Sequence, residues 1–159
     1  MEEQAVEHKQ FTNTELGISG IVPDGWVEEY PGVWLRRASE TDPTHLVQQR
    51  VGGMSVNEVM ALAASEEGLD AAPAHAGTIE SENLTWEWYR GLAPGADPKA
   101  ADIALAQDGN WVYIVVLVTT PSEIHDLHEA VFLPAIKALA PAALDAEAAR
   151  QLAAYAEEY

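Results

Sequence analysis

The stretch ADIALAQDGNWVYIVVLVTT at positions 101–120 decides the fold of this chain. It contains two apolar runs, 101–107 and 111–119, around an Asp-Gly-Asn sequence at 108–110, and this arrangement predicts a β-hairpin with a short turn. In the second run both alternating sets of side chains are apolar. Such a strand is expected at the centre of a sheet that is covered on both faces, and the covering layers are expected to be helical.

Six further segments have the spacing of strands, and turn residues separate them. Proline, glycine and aspartate at 23–25, 31–32 and 42–43 break the chain at short intervals, which favours antiparallel pairing of the early segments. Together with the hairpin they predict an α+β fold, a central antiparallel β-sheet with helices on both faces. The six segments are 18–22, 26–30, 33–38, 45–51, 78–82 and 84–89.

Two segments begin with the pattern of a capping box, in which a Ser or Thr and a Glu three residues later bond each other's backbone N–H groups. The first, at 55–58, predicts a helix over 55–67 that Gly68 ends. The second, at 120–123, predicts a helix that Pro134 kinks or divides and that Pro141 ends.

The end of the chain predicts one more helix, over about 145–157, with a narrow apolar stripe. A single domain is expected over 1–141, with residues 1–14 frayed, and a C-terminal helical extension over 142–159. The extension is interpreted as a helix that docks a partner or leads into a following domain, or as a helix that packs back on its own sheet. Its stripe consists of Leu144, Ala148, Leu152 and Tyr155.

The charge excludes several classes of function. Of 159 residues, 26 are Asp or Glu and 8 are Lys or Arg, so the formal net charge is −18 and the isoelectric point is near 4.3. Because phosphates and anionic membranes require a basic face, nucleic-acid binding and membrane insertion are not expected. The chain has no cysteine, which excludes disulfides and thiolate chemistry. The N-terminus has no signal-peptide pattern, so we expect a cytoplasmic location as written, or a domain excised from a longer protein.

No sequence motif predicts a catalytic, cofactor-binding or metal site. Glycine-rich phosphate loops are absent, and no cofactor is expected. The densest group of potential metal ligands is His125, Asp126, His128 and Glu129, but a phenylalanine follows where a zinc helix would need its second histidine. His128 lies on the apolar stripe of its helix and is interpreted first as a buried histidine with one hydrogen bond, with a metal or proton-transfer role as the alternative.

The aromatic residues are expected mainly in the core, with some available to a ligand or partner. Trp26 and Trp34 lie near turns and are the tryptophans expected closest to a surface groove. Trp86 and Trp88 share one face of a strand. The candidate ligand or partner contacts are therefore Trp26, Trp34, Trp86, Trp88, His125 and His128.

Four segments resemble the PsbP-like superfamily, which includes photosystem II PsbP, a Ran release factor and LpqN-like bacterial proteins. They are GISGIVPDGW at 17–26, Leu84-Thr85-Trp86, the strand at 111–118 and VFLPAI at 131–136. The resemblance covers about 12–141. It implies a central antiparallel sheet with helices on both faces, and it implies a scaffold, adaptor or accessory role without a shared catalytic constellation.

Two hypotheses about function follow. The leading one is a non-catalytic bacterial protein-interaction or accessory domain, not an enzyme, whose partner is an unknown protein of basic character, with a homodimer as an open alternative. The other is a small-molecule-binding protein or enzyme with a pocket lined by tryptophan and histidine. A cleft that holds His125 or His128 beside an Asp or Glu and at least one exposed tryptophan would favour the second hypothesis, and a His128 packed wholly among apolar neighbours would exclude its catalytic version.

Overall fold

A computed structural model describes residues 7–37, 41–69, 73–82, 84–93 and 95–142. The predicted helix over 145–157 lies outside these residues. The elements, in chain order, are β1 (His8–Asn13), β2 (Ile18–Pro23), β3 (Val27–Tyr30), β4 (Val33–Leu35), β5 (His45–Gly52), α1 (Val56–Glu66), β6 (Ala74–Glu80), β7 (Thr85–Ala93), β8 (Lys99–Asp108), β9 (Trp111–Thr119), α2 (Ile124–Leu127), a π-helical segment (His128–Phe132), α3 (Leu133–Ala138) and β10 (Ala140–Pro141).

The main sheet has seven antiparallel strands in the order β3-β4-β5-β9-β8-β7-β6. Strand β9 lies at its centre, where Ile114 pairs with Gln49 of β5 and with Leu105 of β8. All of its residues from Val112 to Thr119 are buried. The doubly apolar run at 111–119 is therefore a central strand covered on both faces, and the predicted α+β fold is confirmed.

Each face of the main sheet has its own hydrophobic core. The face we call the π face lies under the π-helical segment, α3 and a small sheet of order β1-β2-β10. The opposite face, the α1 face, lies under α1, whose Val59 and Ala63 pack against the sheet. Core residues of the π face include Val22, Trp34, Trp86, Tyr113, Phe132 and Ile136, and those of the α1 face include Ile103, Leu105, Ile114 and Val116.

The small sheet departs from one sequence-based expectation. Residues His8–Asn13, expected to be frayed, form β1 and pair with β2 over their whole length, so that expectation does not hold for them. Ala140–Pro141 forms the short strand β10 on the other side of β2, and the Ala142 N–H donates to Gly17 O at 2.9 Å. The last described residues therefore lie against the start of β2.

Helix α1 begins as predicted. The Glu58 N–H donates to Ser55 Oγ at 3.1 Å, and the Ser55 N–H donates to Glu58 Oε1 at 3.1 Å, so both halves of the capping box form. Gly68, which follows the helix, has a φ of 69°, a backbone conformation that glycine adopts without a Cβ penalty.

The second predicted capping box does not form. Residues 121–123 make a turn, and α2 begins only at Ile124, with no side-chain cap. The reason is that the Glu123 carboxylate instead binds Arg36. Arg36 Nη1 donates to Oε1 at 2.9 Å, and Nη2 donates to Oε2 at 3.1 Å. An arginine from the sheet therefore replaces the backbone N–H as the partner of Glu123.

The helical run that the sequence predicts to be kinked or divided at Pro134 consists of three segments, and Pro134 lies at the start of the last one, α3. The chain stays helical from Ile124 to Ala138, but it widens at 128–132, where the Leu133 N–H reaches back five residues to His128 O. Because Pro134 has no N–H to offer Ala130 O, that carbonyl is open to a side chain, and His8 Nε2 donates to it at 3.1 Å.

Candidate functional site

Asp102 is a charged side chain in the core of the π face. Four alternate residues of β8 face this core, and the other three are Ala100, Ala104 and Ala106. The Asp102 carboxylate is fully buried. A buried carboxylate requires several donors to offset its lost hydration. Strand register and the π-helical segment bring three donor side chains to it.

These three donors satisfy both carboxylate oxygens. Trp88 Nε1 donates to Oδ1 at 2.9 Å, and Arg90 Nε donates to the same oxygen at 2.7 Å. Arg90 Nη2 donates to Oδ2 at 3.1 Å, and His128 Nδ1 donates to Oδ2 at 2.8 Å. Burial alone would raise the pKa of Asp102, but the hydrogen bonds from His128, Arg90 and Trp88, with the positive charge of Arg90, bring that pKa below its ordinary value.

His128 joins the cluster from the first residue of the π-helical segment. Its ring lies 4.4 Å from the Trp88 ring and 5.2 Å from the Phe132 ring, between centroids. The side chain is only 10 % exposed. Because Asp102 can only accept, the Nδ1 atom must carry a proton, which assigns the tautomer and leaves Nε2 as the second ring nitrogen.

The Nε2 atom of His128 makes no hydrogen bond to any described residue. It is also not among the buried unpaired polar atoms of those residues, which are Trp34 Nε1, Gln48 Oε1 and Arg50 Nε. The small exposed part of the ring therefore includes Nε2. Arg90 is similar, since its side chain is 34 % exposed and its Nη1 atom donates to no described acceptor.

The cluster is suited to holding or exchanging a proton and to contacting an anion, but not to nucleophilic catalysis. Among the described residues, the side chains that bond to the Asp102–His128 pair or stack with it are Trp88, Arg90 and Phe132, none of which is a nucleophile. Among the residues that the structure describes, no group of three or more His, Cys, Asp or Glu side chains could hold a metal ion.

The structure separates the residues that the sequence singles out. Trp26, Trp34 and Trp86 are buried in the core of the π face, and Trp86 Nε1 donates to Ser81 Oγ at 3.2 Å. Only Trp88 and His128 meet in the cluster. His125, Asp126 and Glu129 are exposed, whereas His128 is buried, so these four side chains do not converge.

Sequence reasoning missed Asp102 and Arg90. A signal for Asp102 was present, because it is the only charged residue among the inward positions of a strand whose other members on that face are alanines. A charge at such a position predicts a buried partner. Arg90 had no comparable signal, since it comes opposite Asp102 only through the β7–β8 register.

A second candidate surface lies on the α1 face, beside α1. A β-bulge in β3 pairs Val27 with Leu35 and Tyr30 with Val33, so these four side chains share one side of the sheet. Tyr30 is 63 % exposed, and Leu62 on the neighbouring α1 is 47 % exposed. Leu62 lines a groove of about 50 Å³ with Val47, the partner of Val33 on β5. We call Val27, Tyr30, Val33, Leu35, Val47 and Leu62 the apolar strip.

The other flank of the same face is polar. There Glu87 accepts from His75 Nε2 at 2.6 Å and from Thr78 Oγ1 at 3.1 Å, and the His75 ring meets Tyr89 edge-on. Leu69 and Pro73 lie against Gly91 at the end of β7, but His75 and Glu87 are 52 % and 45 % exposed. The β6–β7 flank therefore exposes polar side chains to water, whereas the β3–β4 flank exposes apolar ones.

Sequence comparisons find no relatives, but the fold has several. No protein-family model matches the chain, and no curated protein is detectably similar to it. Cyanobacterial PsbP from Synechocystis sp. PCC 6803 matches with a TM-score of 0.53 and 12 % identity, over 87 % of this chain and 94 % of that one. LpqN of Mycobacterium tuberculosis, involved in cell envelope biogenesis, matches with a TM-score of 0.50 and 15 % identity, over 87 % and 93 %.

A third structure extends beyond this chain. It comes from Bacteroides thetaiotaomicron and matches with a TM-score of 0.52 and 10 % identity, over 87 % of this chain but only 49 % of its own, so this chain spans about half its length. No helix in the described parts of the chain has the length and apolarity needed to cross a bilayer. The fold that the four sequence segments resemble is confirmed by these structures, and the chain has the PsbP-like fold.

Proposed function

We propose that this chain is a non-catalytic bacterial interaction domain that binds a partner protein through the apolar strip. The observation that carries the proposal is the contrast between the two flanks of the α1 face. Exposed apolar side chains that form a continuous patch, bordered by polar residues, are typical of binding surfaces. Val27, Tyr30 and Leu62 are such side chains, and the groove beside Leu62 adds depth to the patch.

The edge strand itself is a poor site for adding another strand. Strand β3 has only four residues, contains a bulge and carries Glu28 and Glu29, and each of these features discourages edge-to-edge pairing. The Glu28 carboxylate also accepts from the Gly32 N–H at 3.1 Å, which holds the β3–β4 turn. The strip therefore favours side-chain docking over strand addition.

The charge around the strip favours a basic partner. Glu66 and Glu67 line the groove, Glu29 lies on the exposed edge strand, and the whole chain carries −18. Since like charges across an interface repel and opposite charges attract, the expected occupant is a segment with apolar side chains flanked by Lys or Arg. Such a complex should weaken as salt rises.

The test places a photo-crosslinking amino acid at position 30 or 62 in the native host, with position 92 as the matched control. Leu92 is 62 % exposed, as prominent as Tyr30, but it lies on the π face. We expect positions 30 and 62 to capture the same protein through an apolar segment flanked by basic residues, and position 92 to capture nothing in common with them. Substitutions Tyr30→Glu and Leu62→Glu should abolish that capture, whereas Leu92→Glu should not.

Three outcomes would contradict the proposal. They are capture of the same species at all three positions, no specific capture at positions 30 and 62, and capture of only a second copy of this chain, which would make the strip a homodimer surface. Thermal melting of each variant serves as the folding control, because substitutions at exposed positions should leave stability nearly unchanged.

A further inference from the structure

The Asp102 cluster has unused donors that point out of the core. Two of the five Arg90 N–H groups are engaged by Asp102, and no described residue accepts from the rest. His128 uses Nδ1 for Asp102 and leaves Nε2 without a partner at the surface. Both groups are accessible from outside the core, so a ligand can reach them.

These donors are close to one another because they share one acceptor. Arg90 Nη2 and His128 Nδ1 both bond to Asp102 Oδ2, at 3.1 and 2.8 Å. The distance between the two nitrogens therefore cannot exceed the sum of these two hydrogen-bond lengths. The carboxylate therefore holds a guanidinium and an imidazole side by side, and it aims the unused edge of each away from itself.

In the cluster the negative charge lies inward and the donor groups face outward. The Asp102 negative charge lies at the bottom of the cluster and is cancelled by Arg90, while the outward atoms are N–H groups and one ring nitrogen. The Trp88 ring, which stacks with His128 and lies 5.2 Å below the Arg90 guanidinium carbon, forms a rigid wall. The Asp102 carboxylate is occupied by its own donors, so the outward N–H groups of Arg90 face away from it.

We infer that His128 and Arg90 form a binding site for a small oxyanion, a carboxylate or phosphate group, supported from below by Asp102. The anion accepts from Arg90 Nη1 and from His128 Nε2, which takes up a proton together with the anion, and guanidinium and imidazolium groups make charge-assisted bonds of this kind to oxyanions. Leu92 follows Arg90 on the same face of β7 and is 62 % exposed, so the ligand that carries the anion has an apolar part beside it.

This site does not depend on the proposed function. It lies on the π face, whereas the apolar strip lies on the α1 face, so a failure of the crosslinking test leaves the oxyanion site intact and the reverse also holds. A metal ion would need more than the single free nitrogen of His128, and an anion does not.

The test is a titration of the full chain with sodium phosphate and, separately, sodium acetate at constant ionic strength. It is followed through the His128 ring and Trp88 indole signals in nuclear magnetic resonance spectra. We expect saturable shifts of both signals with at least one of the two anions. Saturation with acetate alone assigns a carboxylate, and saturation with phosphate alone assigns a phosphate group.

Two variants and one matched control make the test specific. His128→Gln keeps a side-chain donor for Asp102 but removes Nε2, and Arg90→Lys keeps a positive charge but removes the second arm of the guanidinium. Each should weaken anion binding at least about tenfold. His125→Gln changes an exposed histidine on the same helical run and should change nothing.

The inference is overturned if neither anion gives saturable shifts, or if His128→Gln binds as well as the unmodified chain. It is also overturned if His125→Gln weakens binding as much as His128→Gln, because the anion would then be responding to general helix charge.

Discussion

Strand β7 contributes to a histidine–carboxylate pair on each of its two faces. On the π face, Trp88 and Arg90 support the pair of Asp102 and His128, in which the carboxylate is fully buried. On the α1 face, Glu87 pairs with His75, which is 52 % exposed. The chemistry of the two pairs is the same, and their surroundings are opposite.

The comparison teaches that distance does not measure the contribution of an ion pair. The exposed pair is the shorter one, 2.6 Å against 2.8 Å. Water, however, solvates His75 and Glu87 when they separate, whereas nothing replaces the donors of Asp102. Burial therefore determines which pair the fold depends on, and the following substitutions test that ordering.

The largest effect is expected from Asp102→Ala. It leaves Trp88 Nε1, His128 Nδ1 and the Arg90 guanidinium without their acceptor in a buried site. Breaking a buried, hydrogen-bonded pair by removing one partner typically costs about 3–5 kcal/mol. The free energy of unfolding from denaturant titration measures the loss, and Glu87→Ala is the matched control on the other face. A loss no larger than that of the control would show that the cluster does not stabilise the fold.

A smaller effect is expected at Asp42, a nearly buried carboxylate whose partner is arginine. Arg36 donates to it at 2.8 and 2.9 Å, and the Thr44 N–H at 3.1 Å. These bonds lower the pKa of Asp42 from 3.8 to about 2. A carboxylate with a lowered folded-state pKa stabilises the fold above its unfolded pKa and loses that contribution as the pH falls.

We therefore expect Asp42→Asn to lower the free energy of unfolding by about 2 kcal/mol at neutral pH. The difference from the unmodified chain should shrink as the pH falls from about 4 toward 2, because both carry an uncharged side chain there. Denaturant titrations at neutral and acidic pH measure it. A difference that does not change with pH would mean that the Asp42 charge is not what stabilises the fold.

The third effect concerns His45 and Glu67, a pair of intermediate burial that ties the end of α1 to β5. His45 Nδ1 donates to Pro43 O at 2.8 Å, and Nε2 donates to Glu67 Oε2 at 3.1 Å. Both ring nitrogens face acceptors, which fits the charged imidazolium. Burial alone would lower the pKa of His45, but the hydrogen bond and charge of Glu67 raise it above 6.5.

A histidine with a raised folded-state pKa stabilises the fold fully below its unfolded pKa and loses that contribution as the pH rises through the folded pKa. We expect Glu67→Gln to cost about 1 kcal/mol at pH values below 6.5 and less at alkaline pH. Thermal melting across this range measures it. The ordering of the pairs by burial fails if the cost equals that of Asp102→Ala or grows with pH.

The sequence predicts the parts of this fold that local pattern controls. The hairpin of β8 and β9 follows from its turn and its apolar runs, and the capping box of α1 forms as written. Strand β1 escapes prediction because it is half-exposed and mostly polar, and only pairing with β2 makes it a strand. The box at 120–123 fails because Arg36, far away in sequence, takes Glu123.

The same distinction applies to the site. His128 and Trp88 are identifiable from the sequence as residues with chemistry to offer. Their meeting with Asp102 and Arg90 depends on strand register and on a widened helical turn that shifts the ring over the sheet. Strand register and the widened turn leave no local signature in the sequence, and the one local sign of the cluster is the lone charge at position 102. Tertiary geometry therefore assembles the cluster from residues that look unrelated in the chain.

The smallest effect is expected from His75→Gln at the exposed pair, and it completes the ordering. The hydrogen bond from His75 is the main cause of the lowered pKa of Glu87, so that pKa should return toward its ordinary value in the variant. The free energy of unfolding at neutral pH should fall only slightly, because water solvates both groups once they separate. Carboxyl signals in nuclear magnetic resonance spectra report the first quantity, and denaturant titration the second. A destabilisation comparable to that of Glu67→Gln would show that the exposed pair stabilises the fold as much as the half-buried pair does. Solvation by water would then not explain the difference between the two faces of β7.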